Sequence, residues 1–269
     1  MILKIKLAIF FVFISLFAQA QDLPQEVLQG SLVISQDIKV DQIIKDGENI
    51  KLSKEGHFVF AVGRDRIEPI SITKLVNNVV VSTEEIKIIK QDYEIQRIDG
   101  LPEQMVTPLE DDIIERIIAE NKVIKEKKLV NTDHTFFISN FIIPTEGIIS
   151  GVFGSQRILN GKEKSPHRGL DIAAAEGEPV IATNDGIIIL AEEDLYYTGG
   201  TIMIEHGHGV KSIYAHMSKV DVKIDDVVFK SQRIGSVGST GRSTGPHLDF
   251  RVNWFQTRLD PMSIIKNEN

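Results

Sequence analysis

The sequence contains no cysteine among its 269 residues. This absence excludes disulfide bonds, thiolate metal ligands, a thiol nucleophile and a lipid attached through cysteine. Any metal ion must therefore be held by histidine, aspartate, glutamate or water. The chain also lacks an H-E-x-x-H motif, so it does not have the glutamate base and paired histidines of that zinc-peptidase class.

The sequence also has fewer basic residues than acidic ones. Without Lys4 and Lys6, which lie in the leader described below, 28 basic residues face 38 acidic ones and the formal charge is −10. A chain of this charge has little electrostatic attraction for nucleic acid or anionic lipid. We therefore expect no nucleic-acid partner.

Long apolar runs are absent after residue 20. Before it, two lysines precede the run LAIFFVFISLF, and AQA at Ala18–Ala20 offers the small residues that a signal peptidase reads. The run has 11 residues, fewer than the roughly 20 that span a bilayer. We predict a signal peptide over residues 1–20 and no stable membrane span after its cleavage. An uncleaved anchor is the alternative interpretation.

Short β-rich segments occupy most of the remaining chain. Residues 21–100 contain HFVFAVG, ISITKLV and similar runs separated by Gly, Asn and Asp, which indicates a small N-terminal β domain. Residues 140–262 repeat this pattern, which is typical of an antiparallel sandwich or barrel-like domain, and 263–269 form a tail. The fold class expected is mainly β.

A helical linker over residues 101–139 separates the two β regions. Thr107 can cap a helix that runs to Leu129, with Pro108 in its first turn. An apolar stripe marks the face that we expect to pack between the domains; its members are Ile113, Ile114, Ile117, Ile118 and Val123. A helix that binds a partner is the alternative.

Histidines are clustered in the second β region. Five of the seven lie within one 81-residue window, and they are His167, His206, His208, His216 and His247. By contrast, His57 and Asp65 in the first β region are isolated and are expected at the surface. Clustered imidazoles in a cysteine-free domain are what a metal centre built from histidine and carboxylate requires.

Two pairs within this window could contribute to one site. His167 and Asp171 flank a bend in PHRGLDIAA, where Asp171 enters an apolar strand and needs a cation or hydrogen-bond donors. His247 and Asp249 stand two apart in a strand and share a face. For the first pair, a metal site and an aspartate that accepts backbone hydrogen bonds remain equal alternatives.

The segment SIYAHMS adds a histidine borne by a strand. Alternation places Tyr214 and His216 on one face and Ala215 on the other. Taken alone, a histidine among small and apolar neighbours is more often a hydrogen-bonded core residue than a functional one.

Four elements in order, HRGLD, IEHGHG, YAHMS and STGPHLDF, resemble the LytM or lysostaphin-type zinc metallopeptidases of the M23 family. The resemblance covers about Gly147 to Asp260. It implies an antiparallel β catalytic domain of the LytM, or duplicated hybrid motif, type. A secreted β domain and a linking helix before this domain also resemble bacterial members of the family.

The resemblance implies a role for each matched residue. His167 and Asp171 match the family's H-x-x-x-D zinc ligands, and Asp249 occupies the position of the third ligand. His216 and His247 match its catalytic pair, which does not bind the metal. His206, together with His208, matches no ligand and is expected to be structural or to line the groove.

Asp249 is a departure from the family, because H-x-D stands where the family has H-x-H. Aspartate is a competent zinc ligand, but two carboxylates and one imidazole reduce the formal charge of the centre to zero and weaken its effect on bound water. The expected ion is Zn²⁺, with Mn²⁺ or another divalent ion as alternatives.

The activity implied is hydrolysis of peptide bonds in peptidoglycan, in the periplasm or cell envelope, with peptidoglycan peptides as substrate. Three glycine-containing or charged loops, NGKEKSPHRG, DLYYTGG and STGRSTG, would wall the groove. The alternative, kept open by Asp249, is a weak or inactive LytM-type regulator that activates cell-wall amidases, with an amidase or divisome partner. An unrelated carbohydrate-binding β protein is a third hypothesis, which leaves the matched residues unexplained.

Overall fold

The structure, a computed structural model, describes residues 22–99 and 111–265. The predicted signal peptide and the predicted helix cap at Thr107 and Pro108 lie outside the described residues. Within them no helix is long and apolar enough to cross a bilayer.

The N-terminal region is built from eight strands. They are β1 (Glu26–Leu28), β2 (Leu32–Gln36), β3 (Gln42–Lys45), β4 (Glu48–Ile50), β5 (His57–Ala61), β6 (Ile70–Val76), β7 (Val79–Ile89) and β8 (Ile95–Ile98). One sheet has the order β1-β7-β6-β3-β4, and β2 pairs with β5 in a separate hairpin. Their inward residues form an aliphatic and aromatic core around Phe58 and Phe60.

The second region contains thirteen strands. They are β9 (Ile148–Gly151), β10 (Gln156–Leu159), β11 (Lys162–Glu163), β12 (Leu170–Ala173), β13 (Pro179–Ile181), β14 (Gly186–Leu195), β15 (Gly199–Glu205), β16 (Val210–Met217), β17 (Lys219–Val220), β18 (Val227–Val228), β19 (Arg233–Ser236), β20 (His247–Trp254) and β21 (Thr257–Leu259). Short 3₁₀ turns lie at Phe136–Ile138 and Pro261–Ser263.

An antiparallel sheet of order β18-β14-β15-β16-β20-β12-β9, with β21 paired to β20, dominates this region. Strands β13, β19 and β17 form a second sheet, and apolar residues from both sheets share one core. Leu32, Val59 and Ala61 of the β2–β5 hairpin join that core, so the N-terminal region packs directly on the second. The predicted mainly β fold with an antiparallel second domain is confirmed.

One α-helix, α1 (Asp111–Lys127), is present among the described residues. Its Ile124 packs on a small cluster that includes Leu190, and Glu120 accepts a hydrogen bond from the backbone of Tyr196. The predicted apolar stripe is only partly inward, since Ile118 remains 63% exposed. The prediction was wrong there because a polar contact at Glu120 occupies part of the inward face.

A buried polar chain crosses the core of the second region. Tyr214 Oη lies 3.1 Å from Ser212 Oγ, which lies 2.8 Å from His206 Nε2. The backbone N–H of Thr183 also donates to Tyr214 Oη at 2.9 Å. Buried polar groups need such partners, so this chain fixes the strands relative to one another.

Tyr214→Phe is expected to reduce the free energy of unfolding by about 1–3 kcal/mol, because it leaves the buried Thr183 N–H without an acceptor. Tyr93→Phe is a matched control, since Tyr93 Oη is buried without a hydrogen-bond partner in the described structure. That change should be neutral or slightly stabilising. Urea unfolding of both variants measures the difference, and equal effects would contradict the interpretation.

Candidate metal centre

Two neighbouring antiparallel strands place the two aspartates together. The register of β12 and β20 sets Asp171 directly opposite Asp249. Residues that face each other across an antiparallel pair project from the same side of the sheet. The sheet therefore brings together two carboxylates that are 78 positions apart in the chain.

His167 completes the group from the loop that leads into β12. Its Nδ1 lies 3.0 Å from the carbonyl oxygen of Val152, which can only accept, so Nδ1 carries the proton. Its Nε2 is then an acceptor; it is buried, has no hydrogen-bond donor in the described structure, and lies 3.0 Å from Asp171 Oδ1. Two acceptor atoms held this close are an arrangement that a cation stabilises.

One ligand atom from each of His167, Asp171 and Asp249 lies within 4.8 Å of the other two. The backbone carbonyl on His167 Nδ1 orients the ring as an outer-shell partner orients a zinc-bound histidine. One imidazole and two carboxylates with a buried unsatisfied nitrogen fit a divalent ion such as zinc. The three predicted ligands are thus close enough to bind one ion.

Asp249 has a partner that the sequence analysis did not identify. Arg251, two residues further along β20 and hence on the same face, donates from Nε to Asp249 Oδ1 at 2.9 Å and from Nη2 to Oδ2 at 2.5 Å. Burial alone would raise the pKa of Asp249, but the guanidinium outweighs it and holds that pKa well below its usual range. Asp249 is therefore ionised, as a ligand must be.

Arg251 also changes the charge of the centre. With His167 neutral, two carboxylates cancel the charge of a divalent ion, and the guanidinium adds one positive charge beside it. The expectation of an uncharged centre counted only the ion and its three ligands, and Arg251 adds a positive charge next to them. Its position was visible in the sequence, since the i, i+2 spacing that joins His247 to Asp249 also joins Asp249 to Arg251.

Two glycines make room for the carboxylates. A Cβ on Gly169 would lie 2.7 Å from Asp249 Oδ1 and 2.6 Å from Arg251 Cγ. A Cβ on Gly151 would lie 2.5 Å from Asp171 Oδ2. These close approaches require glycine, whichever backbone angles the residues adopt.

Gly169→Ala is expected to weaken metal binding by roughly 10–100-fold, because the added methyl group displaces the Asp249–Arg251 pair, as loss of an outer-shell partner does. Gly63→Ala is the control, since its added Cβ would meet Thr257 Cγ2 at an ordinary 3.8 Å. Competition with a chelating dye measures the affinity. Equal affinities in the two variants would show that the close packing at Gly169 does not position the ligand.

His216 and His247 lie beside each other, with ring centroids 4.8 Å apart. His247 shares the face of Asp249 through strand alternation. His216 does not follow the alternation predicted for it, because its φ of 63° turns the backbone into the left-handed region. Tyr214 instead faces Phe250 in the core, on the other side of the sheet.

Both rings are held through Nδ1. His216 Nδ1 lies 2.8 Å from the carbonyl oxygen of Thr240, and His247 Nδ1 lies 2.8 Å from that of Gly245. Carbonyl oxygens only accept, so each neutral ring carries its proton on Nδ1 and presents Nε2 as an acceptor. Burial lowers the pKa of His216, which keeps it neutral and able to take up a proton.

The other two clustered histidines lie away from this group. His206 is buried between the backbone carbonyl of Asp185 and Ser212 Oγ, and burial lowers its pKa to about 4. His208 packs on Phe137, and burial lowers its pKa to about 4. The burial of both residues favours a structural role, which is one of the two expected for them.

Two of the loops predicted to wall a groove contact each other. The Arg242 guanidinium lies over the Tyr197 ring at 4.4 Å, and the backbone N–H of Arg242 donates to the Tyr197 carbonyl. Gly241 to Gly245 also spell G-x-S-x-G, with Ser243 Oγ 3.2 Å from His247 Nδ1. This loop leads into a strand rather than a helix, so it is not the nucleophile turn of the α/β-hydrolases.

Comparison with known sequences identifies a family for this region. Residues 165–261 match Peptidase family M23. The chain is 40% identical over 91 residues to the peptidoglycan DD-endopeptidase ShyA of Vibrio cholerae, a match that covers 34% of this chain and 21% of the relative. It is 31% identical over 128 residues to the murein hydrolase activator NlpD of Escherichia coli, covering 48% of this chain and 32% of NlpD.

These matches span between a fifth and a third of the two relatives' lengths. A crystal structure of a peptidase M23 protein from Pseudomonas aeruginosa is similar over 88% of this chain and 94% of its own, with a TM-score of 0.66 and 23% identity. At that identity the similarity supports the fold alone.

Proposed function

Residues 165–261 form a Peptidase family M23 domain, and from this we infer that the protein is a secreted, zinc-dependent endopeptidase that hydrolyses peptide bonds of peptidoglycan. The observation that carries the proposal is the approach of His167, Asp171 and Asp249 within 4.8 Å, next to two imidazoles. The leader-like residues 1–20 support action in the periplasm or cell envelope. The proposed domains are 21–100, the linker 101–139, and 140–262.

In this proposal His167 Nε2 and one oxygen each of Asp171 and Asp249 would hold the ion. When bound, zinc polarises a scissile carbonyl and lowers the pKa of a water molecule from 15.7 towards about 7. Three protein ligands leave a position open for that chemistry. Arg251 keeps Asp249 ionised and oriented, and so acts as a positioning residue.

His216 and His247 are the proposed catalytic residues. Each presents an Nε2 that can accept a proton from the attacking water, and the resulting imidazolium can return it to the leaving amine. The carbonyls of Thr240 and Gly245 hold the rings in the required tautomer. The same carbonyls stabilise each ring after it gains its second proton, since Nδ1 continues to donate.

Digestion of purified peptidoglycan tests the function. The protein beginning at residue 21 should release soluble peptide-containing fragments whose masses correspond to hydrolysed peptide bonds. Chelation should stop the release and zinc should restore it. If the peptide bonds of the peptidoglycan remain intact after prolonged incubation with zinc-loaded protein, the proposal is contradicted.

A regulator that activates a cell-wall amidase is the second candidate. It is favoured by the bidentate ion pair, because Arg251 engages both oxygens of Asp249 and so competes with a metal for the carboxylate. NlpD, one of the relatives, is named as a murein hydrolase activator. This function predicts no retained metal and a faster reaction when the protein is added to an amidase on peptidoglycan.

A further inference from the structure

A cationic cavity lies where the N-terminal and second regions meet. Its volume is about 290 Å³, and three of the residues that line it are Arg64, Arg168 and Arg258. The cavity also reaches the candidate ligand His167. Asp65 is the acidic residue in the lining, but its carboxylate is 79% exposed and already pairs with Arg64.

Arg168 and Arg258 differ in their partners from the other half-buried arginines whose side chains are described. Arg64 donates to the carbonyl of Gly154 and to Asp65, and Arg251 binds Asp249. Arg168 and Arg258 have neither an ion pair nor a side-chain hydrogen bond within residues 22–99 and 111–265. Half-buried guanidinium groups lose part of their hydration, and without a partner this loss is not compensated, so the protein alone leaves this site incomplete.

Neighbouring cations increase the excess of positive charge around these two arginines. Burial lowers the pKa of Arg258 to about 10, and repulsion by Arg168 and Arg251 adds to the effect. Burial also lowers the pKa of the nearby Lys128 to about 7, with further repulsion from Arg258. This concentration of positive charge stands out in a chain whose net charge is −8.

We propose that Arg168 and Arg258 form an oxyanion-binding site, which takes a carboxylate or phosphate group in the cavity beside the metal centre. The planar, two-pronged guanidinium group suits bidentate binding of such anions. The cavity is large enough for an acidic side chain or a terminal carboxylate with part of its residue. An anion there also balances the cations that surround Arg251.

The bound group has two possible sources. It belongs either to the substrate, as a carboxylate on the cell-wall peptide, or to a free anion. The first source rests on the proposed peptidase function, whereas the site itself does not. His167 links both to the metal centre, since it lines the cavity and its Nε2 faces Asp171.

Calorimetric titration of the zinc-loaded protein with inorganic phosphate and with N-acetylglutamate, at constant ionic strength, tests the site. Arg258→Gln should weaken the binding of both at least tenfold, with the metal content unchanged. The same substitution should raise the melting temperature without added anion, because it removes an unpaired charge. Arg66→Gln, which removes a half-buried guanidinium paired with Asp46, is the control and should bind both anions as the wild type does.

Phosphate and N-acetylglutamate binding that is unchanged in Arg258→Gln would overturn the proposal, since the anions would then bind elsewhere, for example at the metal. Absence of binding to the wild type would also overturn it.

Peptide substrates identify the source. If the site binds the substrate, the wild type should hydrolyse an acidic peptide with a lower KM than its amidated form, and Arg258→Gln should lose that preference. An equal preference in both proteins, with phosphate binding still lost in the variant, assigns the site to a free anion. Phosphate binding without hydrolysis of any peptide would refute the peptidase function and retain the anion site.

Discussion

Asp249→Ala is expected to abolish metal retention and, with it, hydrolysis of peptidoglycan. A catalytic zinc is held by three protein ligands, and this substitution leaves only His167 and Asp171. It also leaves the guanidinium of Arg251 unpaired, so that a positive charge faces the incoming cation. Metal analysis after desalting, together with a turbidity assay on peptidoglycan, measures both losses.

The effect of Asp249→His on metal binding depends on Arg251. The sequence alone predicts that Asp249→His keeps the metal, because histidine restores a nitrogen ligand on the same strand face. In the structure that change leaves Arg251 without its carboxylate. We therefore expect Asp249→His to bind metal weakly and the double variant Asp249→His, Arg251→Gln to bind it well.

A wild-type metal content in Asp249→Ala would contradict these expectations and favour the regulator. Equal metal binding by the single and double histidine variants would show that Arg251 does not influence the centre.

His216→Asn is expected to keep the metal and to reduce the rate of peptidoglycan hydrolysis by roughly 10²–10⁴-fold, the contribution of a positioned proton-transfer group. Asparagine is preferred to alanine here, because residue 216 has a φ of 63° and asparagine tolerates the left-handed region. Metal analysis and the initial rate of turbidity loss separate the two effects.

Ser243→Ala is the control for the neighbouring hydroxyl. It removes Ser243 Oγ from beside His247, while the Gly245 carbonyl still holds Nδ1. Most of the activity should remain. A loss as large as that of His216→Asn would contradict the proposed roles and point to Ser243 as a nucleophile.

The sequence predicted much of the fold, because segments with alternating apolar and polar residues, bounded by Gly, Asn and Asp, indicate β-strands and the turns between them. It was less successful with the helix, where Val123 was assigned to the inward stripe but is 43% exposed. The inward face depends on what packs there, and the contact from Glu120 to Tyr196 cannot be read from periodicity.

The candidate site was likewise predicted from the sequence only in part. The spacing of His247 and Asp249 in one strand predicted a shared face, and the family resemblance supplied their partners. Strand alternation failed at His216, because the backbone leaves the extended region at that residue. Contacts between residues that are distant in the chain could not be predicted either, because they depend on tertiary structure. Examples are the register of β12 and β20, the carbonyls that hold the three histidine rings, and the two unpaired arginines.

The most direct test of the central claim is a crystal structure of the zinc-loaded protein with anomalous diffraction recorded at the zinc edge. The expected result is one strong peak about 2.0–2.2 Å from His167 Nε2, from an oxygen of Asp171 and from an oxygen of Asp249, with Arg251 still bound to Asp249. No peak between these residues, with Arg251 keeping Asp249 away from any ion, would contradict the claim that they form a metal centre.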